Sequence, residues 1–303
     1  LVGSEMCIRD STKPTWQCAQ RWWNAVEAAG LGYYGAATEQ LSSVMEDCQK
    51  LPSPDGYLLA SLCLSSQASW QRQMGNHAIA ATLDDKAIEL LAQELPSEKG
   101  CMEVETAAYL RLLALADATS GRAADSLGKD VSSNARTFVD KGDEVLVALH
   151  EMSFPPEIET AVGEDPTNSM WGYCGLNTPR VVIRHAWVST EVAIAEGRWE
   201  HAQACALQGA ELSGEWFSAR HHVKSLLIDA AAWSGTDTVA AVKKAERAYQ
   251  EAQDEGFVPL QWAASMLLRD LAGDGSEEAT RWDDTREELE KELVERGAAA
   301  SLQ

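Results

Sequence analysis

Gly197-Arg198-Trp199-Glu200-His201-Ala202 separates two runs of helix-forming residues. Before it, Arg180–Glu196 holds no Gly or Pro, and after it Ala202–Leu212 is rich in Ala. A glycine permits a tight reversal, an aromatic fills the wedge between two helices, and a small residue lets their backbones approach. Helix, Gly turn, aromatic, Ala and helix make the layout of a helical hairpin. The same order recurs in Gly32-Tyr33-Tyr34-Gly35-Ala36-Ala37 and, with His in the aromatic slot, in Gly75-Asn76-His77-Ala78-Ile79-Ala80. A hairpin that recurs along the chain predicts a solenoid.

Outward from that stretch, the helices pair in order. Thr15–Ala29 and a helix ending near Lys50 form the first pair, closed by Pro52, Pro54 and Gly56. Tyr57–Gln73 and Ala78–Leu95 form the second, and Met102–Leu127 with Val131–Met152 the third, its turn assigned to Gly128 rather than Gly121. Residues 153–178 break the pattern with Pro155, Pro156, Gly163, Pro166, Gly172 and Gly175. The aromatic residues of that connection, Trp171 and Tyr173, suggest a loop packed on the helices, with a short helix at Glu157–Val162 and a possible role as a lid. Beyond it the turn glycines Gly197, Gly235 and Gly273 recur at a fixed interval, and Pro259 suits a first helical turn. Glu277–Arg296 carries one apolar stripe (Ala279, Trp282, Leu289, Leu293) and polar i,i+4 pairs, as a terminal capping helix requires.

Gly32/Tyr34/Ala37, Gly75/His77/Ala80 and Gly197/Trp199/Ala202 resemble the tetratricopeptide-repeat family, whose hairpins carry Gly and an aromatic at the turn and Ala early in the second helix. Gly235/Asp237/Ala240 keeps the glycine and alanine without the aromatic, and the units are longer than the family's roughly 34 residues. The resemblance covers residues 15–152 and 179–297. It implies an all-α, right-handed solenoid of about six hairpins, with the first helix of each lining a concave groove, and a role as a protein–protein interaction module. Residues 176–271 are also similar to uncharacterised proteins of high-GC Gram-positive bacteria (actinobacteria), which brings no function with it.

The 303-residue chain has 25 Lys+Arg against 47 Asp+Glu, a net charge of −22. Such a balance repels phosphate backbones and anionic lipid, so neither nucleic acid nor membrane is an expected partner. Leu1–Asp10 (LVGSEMCIRD) reads as translated sequencing adapter, so residues 1–14 are set aside as an adapter-derived or disordered segment, with the natural N-terminus expected upstream. The remaining cysteines show no C-x-x-C spacing and read as buried thiols of a reducing compartment, hence a cytoplasmic protein. No apolar run approaches the roughly 20 residues of a membrane span.

One polar feature stands out: a basic cluster in an acidic chain. Arg180 and Arg184 share a helix face, as do Arg220 and Lys224, with His185, His221 and His222 beside them. Arg forks fit carboxylates, so Arg180, Arg184, His185, Arg220, His221 and Lys224 are the expected groove for an acidic or C-terminal carboxylate segment of a protein or peptide partner. The competing reading is that these cations pair with Asp and Glu of adjacent helices. Adjacent histidines on a helix diverge, and no H-E-x-x-H, nucleophile elbow, P-loop or Gly-x-Gly-x-x-Gly pattern occurs, so no metal, cofactor or catalytic residue is expected. Two other classes stay open: the sensory part of a larger regulator, and an enzyme with a small-molecule pocket.

Overall fold

The computed structural model describes residues 2–51, 53–92, 104–127, 134–152 and 178–298, with side chains of the first, fifth and seventh helices described from residues 14, 107 and 179 onward. Twelve α-helices and no strand occur among the described residues. They are α1 (Val2–Gly30), α2 (Tyr34–Cys48), α3 (Asp55–Gln73), α4 (His77–Leu91), α5 (Val104–Ser126) and α6 (Asn134–Glu151). After the connection come α7 (Thr178–Ala195), α8 (Trp199–Glu215), α9 (Ala219–Trp233), α10 (Thr238–Asp254), α11 (Val258–Ala272) and α12 (Glu277–Glu295). Each packs on the next in chain order. Where the sequence begins its first helix at Thr15, α1 is already helical from Val2 and carries Pro14 inside it. The connection at 153–177, with Trp171, Tyr173 and the short helix expected at 157–162, lies outside the described residues, as does Gly128.

The turns show why glycine recurs. Gly197 has φ 70°, Arg198 N–H donates to Ala193 O at 2.8 Å and Gly197 N–H to Ile194 O at 2.9 Å. Those two bonds close the end of α7 in a Schellman arrangement that a Cβ would strain. Gly256, φ 71°, ends α10 in the same way, a turn between hairpins that the repeat pattern did not reveal. Gly235 serves differently. A Cβ there would lie 2.2 Å from the Trp199 ring, so this glycine seats the aromatic wedge of the preceding hairpin. The reversal at that point is completed instead by Asp237, whose carboxylate accepts from Ala240 N–H and caps α10.

Gly121 is not a turn. It lies inside α5, where a Cβ would come within 2.1 Å of Asp84 Oδ2 from α4. Gly121→Ala is expected to lower stability by about 1–3 kcal/mol through overpacking, read as an earlier midpoint in urea denaturation.

Inner helices are pinned to one another by a repeated device. Trp22 Nε1 on α1 donates to Ser66 Oγ on α3 at 3.1 Å, and Trp187 Nε1 on α7 donates to Ser225 Oγ on α9 at 2.8 Å. Both bonds are buried, so each indole contributes its apolar area without stranding its N–H.

The two ends of the array meet. One buried cluster includes Trp22, Ala25 and Tyr34 from the first two helices together with Val258, Trp262, Leu289 and Leu293 from the last two. Arg296 donates to Leu31 O, and its guanidinium lies 4.5 Å from the Tyr33 ring centroid. Gly35 N–H donates to Arg296 O at 3.3 Å, an approach that leaves no room for a Cβ at Gly297, which would sit 2.6 Å from Gly35 N. So α12, read from sequence as a solvent-facing cap, turns part of its apolar stripe onto the first hairpin. The inner helices between these ends line a partly open cavity. Among the described residues no helix is long and apolar enough to cross a membrane.

Candidate functional site

The cavity has a volume of about 480 Å³ and is lined by α1, α3, α5, α7 and α9, with His77 from the start of α4. Its wall is apolar at Val26, Trp70, Leu127 and Val188. Its charged lining comes from Arg72 on α3, Arg180, Arg184 and Glu191 on α7, and Arg220 and Lys224 on α9. Of the six groove residues expected from sequence, five line this one cavity: Arg180, Arg184, Arg220, His221 and Lys224.

His185 is elsewhere. It is buried, with Nε2 2.8 Å from Asp143 on α6 and Nδ1 3.4 Å from Ser120 Oγ on α5. Gly142 makes room for the ring, since a Cβ there would touch it at 2.6 Å. One helical position separates it from Arg184, and that rotation of about 100° carries it from the cavity to the α5–α6 interface. His222 likewise pairs outward with Glu251 of α10 at 3.4 Å.

The cations fall into two sets. In the first, carboxylates from neighbouring helices hold the guanidiniums. Arg72 bonds Asp125 through Nε at 2.8 Å and a terminal nitrogen at 2.9 Å, and reaches Asp84 at 2.6 Å. Burial pushes Asp84 up to about 7 despite that contact. One guanidinium already engaged twice by Asp125 cannot hold a second buried carboxylate fully ionised. Arg180 and Arg184 converge on Asp117 of α5, Arg180 at 3.2 Å and Arg184 at 2.8 Å. The Arg184 contact to Oδ1 is a close ion pair without hydrogen-bond alignment. Burial raises the Asp117 pKa and the two arginines more than offset it, leaving it below the ordinary carboxylate value. Burial lowers Arg184 to about 10. Here the pairing reading holds: Arg184 is a structural link between α7 and α5.

The second set is unpaired. Arg220 and Lys224 make no ion pair among the described residues, and the buried Nε of Arg220 has no hydrogen-bond partner. The stem of Arg220 runs beside the end of α1, where a Cβ on Gly30 would lie 3.1 Å from its Cδ. Burial lowers the Arg220 pKa, with Tyr34 opposing and Arg180 reinforcing the shift. Lys224 lies 4.7 Å over the Trp187 ring. Enclosure, together with repulsion from Arg220, Arg184 and Arg72, brings its pKa down to about 8 against the attraction of Glu191. His221 is held by Ser218 Oγ at 2.7 Å from Nδ1, by stacking on Trp187 at 5.4 Å and by the edge of Trp216 at 4.5 Å. Burial and the surrounding cations push its pKa well below 6.5, so it is neutral at physiological pH. With Nδ1 taken by Ser218, the remaining ring nitrogen is the one left for a ligand.

A lysine whose folded pKa is depressed destabilises the fold while it is charged. Between about pH 8 and 10.5 the unfolded chain retains a proton that the folded chain has lost, so stability gains with rising pH across that window. Lys224→Met is therefore expected to raise the stability of the empty protein at pH 7 by about 1–2 kcal/mol, measured as a higher urea midpoint.

Sequence reasoning missed Arg72, Asp84, Asp117 and Asp125. Their signal was available: Asp84 and Asp117 sit on otherwise apolar helical faces, and an acid there demands a partner. Among the described residues no group of three His, Cys, Asp or Glu side chains is placed to hold a metal ion. The chain matches no protein-family model and no curated protein.

Proposed function

We propose that this chain is a non-catalytic, tetratricopeptide-like binding module of six right-handed hairpins that captures the anionic end of a protein or peptide partner in its central cavity. The observation that carries the reading is the state of Arg220 and Lys224: both face the cavity, and no carboxylate within the described residues pairs with either. Unpaired enclosed cations are unfavourable until an anion arrives, and a ligand that supplies one gains charge-assisted hydrogen bonds in a site of low dielectric. An acidic or C-terminal carboxylate segment has the required charge.

Fluorescence anisotropy with an acidic hexapeptide and its C-terminal amide tests this. The free acid is expected to bind about tenfold more tightly, the range of one charge-assisted contact. Equal affinities would remove the terminal carboxylate from the reading. A second reading, the ligand-sensing part of a larger regulator, is favoured by the cavity volume, which falls within the roughly 300–1,000 Å³ typical of small-molecule sites.

A further inference from the structure

We infer that the ligand this cavity fits is dipolar: a carboxylate and an ammonium joined by an apolar stem, the chemistry of a lysine at a free chain end. The inference rests on the binding reading above and adds a second pole to it. The observation that carries it is Glu191. The residues of α7 that line the cavity are Arg180, Arg184, Trp187, Val188 and Glu191, a single helical stripe. Asp117 of α5 engages the two arginines. Glu191 makes no ion pair or hydrogen bond among the described residues. It is a carboxylate without a partner, lining the same cavity as the unpaired Arg220 and Lys224.

The charges are ordered along the cavity. Glu191 lies seven positions beyond Arg184, roughly 10 Å along α7. Tyr34 and Arg180 are the groups that act on Arg220, whereas Glu191 is the one that attracts Lys224. Lys224 sits over the Trp187 ring, one turn before Glu191. A positive pole at Arg220 and a negative pole at Glu191 therefore stand apart, with Lys224 between them. A plain anion drawn to Arg220 and Lys224 would take up the lysine's charge and leave Glu191 as a like charge in the same space. A ligand that also carries an ammonium gives Glu191 its counterion and leaves Lys224 to the carboxylate. The unused Nε–H of Arg220 and the Lys224 ammonium are the donors for that carboxylate. Trp70, Leu127 and Val188 offer apolar surface to the stem, and a lysine stem is long and flexible enough to lie along it. The same chemistry could arrive on a protein or peptide end or on a free ω-amino acid.

Three labelled peptides sharing one neutral sequence separate the two poles: one ending in lysine, one ending in norleucine (the same stem without the ammonium), and the lysine peptide as its C-terminal amide. Fluorescence anisotropy at pH 7 and constant ionic strength is expected to rank the lysine acid at least about tenfold tighter than either of the others, the range of one charge-assisted contact at each pole. Glu191→Gln removes a charge but no ion pair, and is expected to reduce the preference for lysine over norleucine to about threefold or less. The norleucine acid should bind that variant no more weakly than it binds the parent. Equal affinities for the lysine and norleucine acids, or a lysine preference unchanged in Glu191→Gln, would overturn the inference. If the lysine acid still binds more tightly than its amide, the carboxylate reading survives that failure; if it does not, both fall. Competition by 6-aminohexanoate then identifies the source. Displacement at an affinity matching the lysine peptide supports a free small molecule, and weaker displacement supports a protein or peptide end, with the two-pole assignment retained in either case.

Discussion

Replacing Arg220 and Lys224 together by Glu is expected to abolish anion capture, with affinity for the acidic hexapeptide falling at least about a hundredfold, or about 2.7 kcal/mol. Each substitution removes a donor and installs a carboxylate facing the ligand, and like charges in an enclosed site repel strongly. The fold should survive. The two side chains pair with no carboxylate in the described structure, so no ion pair between helices is broken. Circular dichroism and the urea midpoint would confirm folding before binding is measured. Arg184→Glu is a poor substitute, because it would set an acid against Asp117 and break the α5–α7 link. Retained affinity in the folded Arg220→Glu, Lys224→Glu protein would remove the cavity as the site.

Arg72→Met is expected to produce the largest loss of stability, about 3–5 kcal/mol. The guanidinium joins α3 to α4 through Asp84 and to α5 through Asp125, and the Asp125 side chain is fully buried. Methionine matches the stem but leaves two enclosed carboxylates with no ion-pair partner, apart from the His77 ring 3.3 Å from Asp125 and the more distant attraction of Arg184 on Asp84. Both acids would then favour protonation, so the variant should regain part of its stability as pH falls from 7 toward 5. Urea denaturation at those two pH values measures it. An Arg72→Met protein as stable as the parent at pH 7 would show that the carboxylates find other partners.

Much of the architecture was legible because helix termination is local chemistry. Gly32, Gly75 and Gly197 end helices through their own φ angles, and the flanking Ala and aromatic positions pack wherever hairpins stack. The cationic face was legible for a related reason: i,i+4 spacing places Arg180 with Arg184 and Arg220 with Lys224 whatever surrounds them. His185 was assigned to the wrong face because a neighbouring position in sequence is a different side of the helix. Gly121 misled because glycine serves both as a terminator and as empty space, and only Asp84, 37 positions earlier, tells the two apart.

The meeting of the first and last hairpins had no local signature. The contacts that bring the two ends together, Arg296 on Leu31 and Tyr33, join residues 265 positions apart in the first case. Packing of the inner helices around Lys224, which on an open surface would be hydrated and ordinary, makes its charge unfavourable. That consequence could not be read from composition or spacing.

The most direct test is therefore the titration of Lys224 itself, followed by NMR of ε-¹³C-labelled lysine and assigned with Lys224→Met. A pKa near 8 in the free protein, rising when the cavity is saturated with an acidic ligand, is the expected result. A value near the ordinary 10.5 that does not respond to ligand would mean that the lysine is solvated or already paired, and would contradict an enclosed cation awaiting an anion.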